Sequence, residues 1–173
     1  QSAFLLPDDT ICKGDAIGLF NQSTTWSAHP VNTWIYTFGN GQQINNGPNV
    51  NYVYPASGTY NINLLVFNSV GCSSTSSQTI LVANKPVAGL LAPSYAGCSP
   101  FPVSFTNTSY SIVNGLPLAT FNTTFSDNNT SVTTTNVNQA INHTFVGNGV
   151  YTATLTATDI NGCVSNPDRK STR

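Results

Sequence analysis

Along SGTYNINLLVFN, residues 57–68, Tyr60, Ile62, Leu64 and Val66 alternate with Asn61, Asn63, Leu65 and Phe67. NGVYTATLTATD, residues 148–159, does the same, with Tyr151, Ala153, Leu155 and Ala157 spaced by threonines. A period of two predicts strands with one face toward a core. In WIYTFGNG, residues 34–41, Trp34, Tyr36 and Phe38 share one face, and Val103 and Phe105 share the face of another strand. No stretch shows a 3.6-residue period, Met is absent and β-branched residues are abundant. The chain therefore reads as all-β.

The pattern occurs twice. CKGDAIGLFNQS (12–23) matches CSPFPVSFTNTS (98–109), placing Cys12 with Cys98, Leu19 with Phe105, Asn21 with Asn107 and Ser23 with Ser109. SGTYNINLLVFNSVGC (57–72) matches NGVYTATLTATDINGC (148–163) at a spacing five residues longer. The extra residues belong in a loop or edge strand of the second copy, where insertion is tolerated. VANKPVAG (82–89) is the hinge, and Pro86 ends one strand and precedes the next. The expected division is 1–84 and 85–173. Short strands punctuated by Gly, Pro and Asn in each copy predict two tandem Ig-like β-sandwiches.

Composition narrows the function. Charged residues are 6 % of the chain, and Asn, Ser and Thr fill 63 of 173 positions, so solubility comes from uncharged polar groups. A net charge of −1 leaves no electrostatic footprint for nucleic acid. No apolar run is long enough to insert in a membrane. The chain begins at Gln1 without Met, as expected of a processed or excised segment.

These residues resemble the PKD (polycystic kidney disease) domain, an Ig-like sandwich. Its pattern is approximately V-x-F-x-N-x-S, then Y-x-W-x-F-G-D-G, then H-x-Y, then G-x-Y-x-V-x-L-x-V. The first copy offers WIYTFGNG and YVYPASGTYNINLLVFN; the second offers VSFTNTS, HTFVGNGVYTATLTATD and a following Gly-Cys. Asn40 replaces the family's Asp, the second copy reads FSDN (125–128), and Thr123 stands where an aromatic belongs. The second copy is therefore expected to have a poorer central core, or to fill it from elsewhere. The Cys-bearing ends look like tandem adhesin and surface arrays of Bacteroidetes-type bacteria.

The resemblance implies an extracellular, cell-surface, non-enzymatic module. Its role would be structural, in a bacterial fibre, filament or adhesin stalk, with neighbouring modules or copies of itself as partners. The alternative is a carbohydrate-binding or adhesive accessory module of a secreted enzyme, with glycans as ligand. Trp34 and Tyr36 then belong to the core. Trp26, in the polar run STTWSAHP, is the candidate exposed contact aromatic. Thr10, in Asp-Thr-Ile, resembles a bacterial O-glycosylation signal. Six Asn-x-Ser/Thr triplets, at Asn21, Asn107, Asn122, Asn128, Asn129 and Asn142, are no more than the composition gives by chance.

No catalytic set is expected. His29 sits before a proline, and His143 matches the family's structural histidine. No nucleophile, base and orienting acid fall together. No cofactor is implied. Asp15, Asp127 and Asp159 are too scattered to hold a hard cation, so Gly39-Asn40-Gly41 reads as a tight turn rather than a metal site.

The four cysteines, Cys12, Cys72, Cys98 and Cys163, suit an oxidising compartment, and their spacing is not that of zinc ligands. They allow three pairings. In an Ig-like sandwich the loops holding the two cysteines of one copy lie at opposite ends, on the order of 25 Å apart, beyond the reach of a disulfide. The fold that the resemblance implies thus favours Cys12–Cys163 over bonds within each copy, leaving Cys72 and Cys98 for neighbouring modules. The second copy also shows no apolar counterpart of QTILV (78–82). Its last strand is expected to be missing, or supplied by chain continuation or by donation, with SAFLL (2–6) as a candidate donor.

Overall fold

The computed structural model describes residues 1–25, 28–45, 47–112, 116–127 and 130–172. Its strands fall into two compact units, Gln1–Ala83 and Asn84–Arg173. In the first unit, β1 (Phe4–Leu5), β3 (Ala16–Asn21) and β6 (Asn49–Val53) form one sheet, in the order β1-β3-β6. The facing sheet runs β2 (Thr10–Cys12), β8 (Ser73–Ala83), β7 (Gly58–Asn68), β4 (Val31–Thr37) and β5 (Gln43–Ile44). The chain changes sheet between β1 and β2, across Pro7. β1 pairs antiparallel with β3, whereas β2 pairs parallel with β8.

Alternation sends Ile17, Leu19, Ile62, Leu64 and Val66 inward, where they meet Phe4, Tyr36, Phe38, Tyr54 and Ile80. Tyr36 and Phe38 are fully buried, and Trp34 is half-buried against the same cluster. The Tyr36 hydroxyl donates to the Pro48 carbonyl at 2.9 Å. Trp34 Nε1 is buried without a partner among the described residues. After Phe38 the backbone must pass close to β7. Gly39 has φ +72°, and a Cβ there would lie 2.8 Å from the Asn61 carbonyl oxygen. Only glycine meets both conditions.

The second unit repeats the plan. One sheet has the order β13 (Ala140–Phe145), β10 (Phe101–Asn107), β9 (Leu90–Leu91). The other runs β12 (Ser131–Thr134), β11 (Leu118–Phe125), β14 (Tyr151–Asp159), β15 (Asp168–Thr172). Thr123 pairs with Leu155 as Tyr36 pairs with Leu64, so Thr123 occupies the aromatic's place and is fully buried, its hydroxyl without a partner among the described residues. Compensation comes from other positions. Phe105 replaces Leu19, and Phe121, at the place of half-buried Trp34, is buried. β12 is a four-residue edge strand where β5 has two residues, which is where extra length is accommodated.

The expectation of a missing last strand is corrected. β15 pairs antiparallel with β14 from Tyr151↔Thr172 to Leu155↔Asp168. It escapes an apolar scan because its residues are polar throughout: by register it matches SSQTI (76–80) of β8, with Thr172 at the place of Ile80. Pro167 has no N–H for the ladder, and it separates β15 from the isolated Thr158↔Val164 bridge. Asp168 joins the two sheets: its Oδ2 accepts from the Leu90 amide at 2.8 Å, and its Oδ1 accepts from Lys170 at 2.8 Å. SAFLL is no free donor either. Phe4 is buried in its own unit, with Phe4 and Leu5 paired to Asn21 and Phe20.

Two predictions follow from the first unit's core. Gly39→Ala and Gly41→Ala both force a side chain into positive φ, at roughly 1–2 kcal/mol, but only Gly39 has backbone in the way. Denaturant unfolding should therefore show a clearly larger loss for Gly39→Ala. Burial also raises the Tyr36 hydroxyl to about 12 and raises Tyr54, where Tyr52 and Tyr60 add to the effect. Below the ordinary tyrosine value of 10.0 both the folded and unfolded states hold these protons. Above it the unfolded chain releases them first, so stability falls as pH rises. Methyl NMR should show the first unit unfolding in alkali before the second, whose core rings are phenylalanines.

Candidate functional site

The aromatic strand ends in the same device in both units. In the first, Phe38 stacks on Tyr52, centroids 3.8 Å apart and planes 11° apart, and Asn40 Nδ2 donates to the Tyr52 hydroxyl at 2.8 Å. In the second, Phe125 stacks on His143 at 3.9 Å and 3°. Asp127, at the place of Asn40, has carboxylate oxygens 2.9 and 3.0 Å from His143 Nε2. His143 and Asp127 are 11 % and 9 % exposed, so this pair is enclosed. A ring stacked on a phenylalanine and tethered by the turn holds the two sheets in register. Among the described residues no group of three His, Cys, Asp or Glu side chains could hold a metal ion.

The cysteines sit in two kinds of place. Cys12 ends β2, and Cys98 is its counterpart. Cys72 and Cys163 each close the turn after a long strand. Asn68 Oδ1 accepts from the amides of Val70 and Cys72, and Asp159 Oδ1 accepts from those of Asn161 and Cys163. Asn and Asp build this turn because their short side chains reach backbone N–H groups two to four residues on. Cys12 and Cys163 are disulfide-bonded. Cys72 and Cys98 are free and exposed. Bonds within each copy, Cys12–Cys72 and Cys98–Cys163, are thereby excluded.

Other candidates separate by environment. Thr10 is half-buried in β2, and its hydroxyl donates to Asp9 Oδ1 at 3.1 Å. Trp26, Asn128 and Asn129 lie outside the described residues. Asn107 is fully buried, its Oδ1 accepting from the Ser109 amide at 3.0 Å; it serves the fold and offers no glycan site. His29 and Cys72 line one cavity of about 200 Å³ in the first unit, with Thr24, Val31, Val66 and Asn68. No carboxylate lines it among the described residues, so the imidazole has no orienting acid there.

The PKD domain model matches twice, at residues 2–82 and 83–173. The chain belongs to the PKD domain family. Among solved structures it is similar to the fibronectin(III)-like modules of Clostridium thermocellum CbhA, at 18% identity over 99% of this chain and 93% of that one, TM-score 0.52. That likeness is one of fold. Single PKD1 domains match about half of the chain. That of the Vibrio cholerae metalloprotease PrtV is 28% identical over 47% of this chain and 93% of that one, TM-score 0.41. That of Vibrio anguillarum Epp is 26% identical over 47% and 90%, TM-score 0.41. Comparison with curated protein sequences finds no match. The chain is thus a tandem pair of PKD domains.

The two sheet-joining devices can be exchanged. Asp127→Ala leaves an enclosed imidazole without its partner and should destabilise the second domain by about 1–3 kcal/mol. The pair Asp127→Asn with His143→Tyr installs the first domain's version and should recover most of that loss. Denaturant unfolding, followed by a probe in the second domain, measures both.

Proposed function

We propose that this tandem PKD pair is a structural module of an extracellular surface assembly, joined to further copies through its free cysteines. The family and the disulfide both fit an extracellular, multi-domain array. The observation that carries the reading is the matching of bonded and free thiols. Cys12 and Cys163 are bonded; their repeat counterparts, Cys98 and Cys72, are free and exposed. Each free thiol thus occupies a position that the fold already uses for a disulfide. A head-to-tail array would join Cys72 of one copy to Cys98 of the next. A sparsely charged surface suits such an assembly, because little repulsion opposes close packing of modules. Thr10 is proposed as an O-glycan site on the same exterior; peptide mass mapping of native material would show a hexose-containing increment on the Asp9–Thr10–Ile11 peptide, and an unmodified peptide would remove the proposal.

The joining step is a thiol oxidation. Two thiols lose two protons and two electrons, an S–S bond forms, and a low-molecular-weight disulfide such as oxidised glutathione is reduced to two thiols. The purified chain treated with oxidised glutathione should give a ladder of linear oligomers on a non-reducing gel. Cys72→Ser alone, and Cys98→Ser alone, should each abolish the ladder, because each removes one half of every joint. A wild-type chain that stays monomeric while its thiols become oxidised would overturn this reading.

A further inference from the structure

The outer face of the first domain's smaller sheet has a feature that the second domain lacks. Leu19 points into the core, so the next residue, Phe20, must point out. It is 46 % exposed, and among the described residues it stacks on no other ring. Its side chain lies back along β3 over Gly18. A Cβ placed on Gly18 would be 3.2 Å from Phe20 Cζ and 3.3 Å from Cε2. The far edge of the ring therefore lies over bare backbone, and close to half of the residue stays open to solvent. The same point is 3.2 Å from Asn51 Oδ1, so the Asn51 amide flanks the ring. Asn51 is exposed, and its side chain forms no hydrogen bond among the described residues. Asn49, opposite Phe20, uses its Oδ1 to accept from the Asn21 amide at 2.9 Å and leaves its NH2 outward.

We infer that Phe20, laid over Gly18 and flanked by Asn51 and Asn49, is a stacking site for a pyranose unit of a neutral glycan. The chemistry of the face selects this partner. A flat ring takes the C–H face of a pyranose, and an unpaired amide offers both a donor and an acceptor to its hydroxyls. A lipid or purely apolar partner would bury those amides unsatisfied. Phe20 and Gly18 with their cross-strand partners Leu5, Asn49 and Asn51, and the neighbouring Ala16–Val53 pair, carry no charge, so an anionic polymer finds no counter-charge. β3 is the central strand of its sheet, so its backbone groups are already paired and strand addition is closed off. The second domain supplies an internal comparison. It keeps Leu91 and Asn142 at the places of Leu5 and Asn51, but has Ser104 for Gly18 and Thr106 for Phe20. It therefore has an amide with no ring. This site does not rest on the structural-module reading and survives its failure.

The test is a residue-resolved NMR titration with cellohexaose and, separately, chitohexaose. It uses the full chain carrying Cys72→Ser and Cys98→Ser, so that disulfide joining cannot interfere. Saturable shifts are expected at the amides of Gly18, Phe20 and Asn51, and none at Ser104 or Thr106. Phe20→Thr, which installs the second domain's residue at an exposed position, should weaken binding at least about tenfold with the rest of the spectrum unchanged. Gly18→Ala keeps the ring but lifts it, and should weaken binding as well. The inference is overturned by any of three results: no saturable shift with either sugar, binding that Phe20→Thr leaves intact, or shifts that follow protein concentration instead of sugar. The last would make the face a contact between copies.

Discussion

In each domain one phenyl ring, Phe38 or Phe125, sits at the end of a strand in the larger sheet and stacks flat on a ring carried by the smaller sheet. The rest of the sandwich depends on that contact. Stacking fixes the distance between the sheets at their turn-bearing end, and a polar side chain from the same turn fixes the angle. Phe38 also meets Tyr54 edge-on, and Phe125 meets Phe145 edge-on, so each ring is held on two sides. The tyrosines that begin the next strands close the cluster: Tyr60 stacks on Tyr54 and Tyr151 on Phe145. Their hydroxyls donate to the carbonyls of Ala56 and Val146, pinning the loop just upstream. The core is therefore ordered from this end, and the aliphatic rows behind it need only fill space.

A sparsely charged chain can use its carboxylates as acceptors. In the second domain Asp127 accepts from His143, Asp159 holds the turn before Cys163, and Asp168 accepts the Leu90 amide. Each holds loops or sheets in place, where a neutral amide or hydroxyl does comparable work in the first domain: Asn40, Asn68, and Ser74 with Ser76 beside the amino-terminal strand. The second domain has thus placed its carboxylates at hydrogen-bonding stations. Asp159 carries the energetic cost of that choice: among the described residues its buried Oδ2 has no partner.

Much of this was legible from period-two alternation. Tyr60 to Val66 and Tyr151 to Ala157 mark the long central strands, and the burial of Tyr36 follows from Trp34, Tyr36 and Phe38 sharing a face. The duplication was legible because matched cysteines recur in both copies and the first Asn-x-Ser turn keeps the spacing of the first cysteine pair. β15 was not, since a polar edge strand has no apolar row to betray it, and Asp168 contributes a hydrogen bond where a scan looks for a side chain to bury. Nor was the Phe20 face found. The adjacent pair Leu19-Phe20 was the available sign, because neighbours on a strand cannot both face inward. The tether between His143 and Asp127 was equally out of reach, as sixteen residues separate two groups that meet only once the sheets close.

The parallel pairing of β2 with β8 has a mechanical meaning. These are nearly the first and last strands of the first domain, and they run the same way side by side. A pull applied to the two ends of that domain drags them past each other along their length. The hydrogen bonds joining Thr10–Cys12 to Leu81–Ala83 are then loaded together in shear, whereas a hairpin pulled from its open end gives way one rung at a time. Short as it is, β2 acts as a latch across the domain, and tension that has drawn out β1 must then break it as a unit.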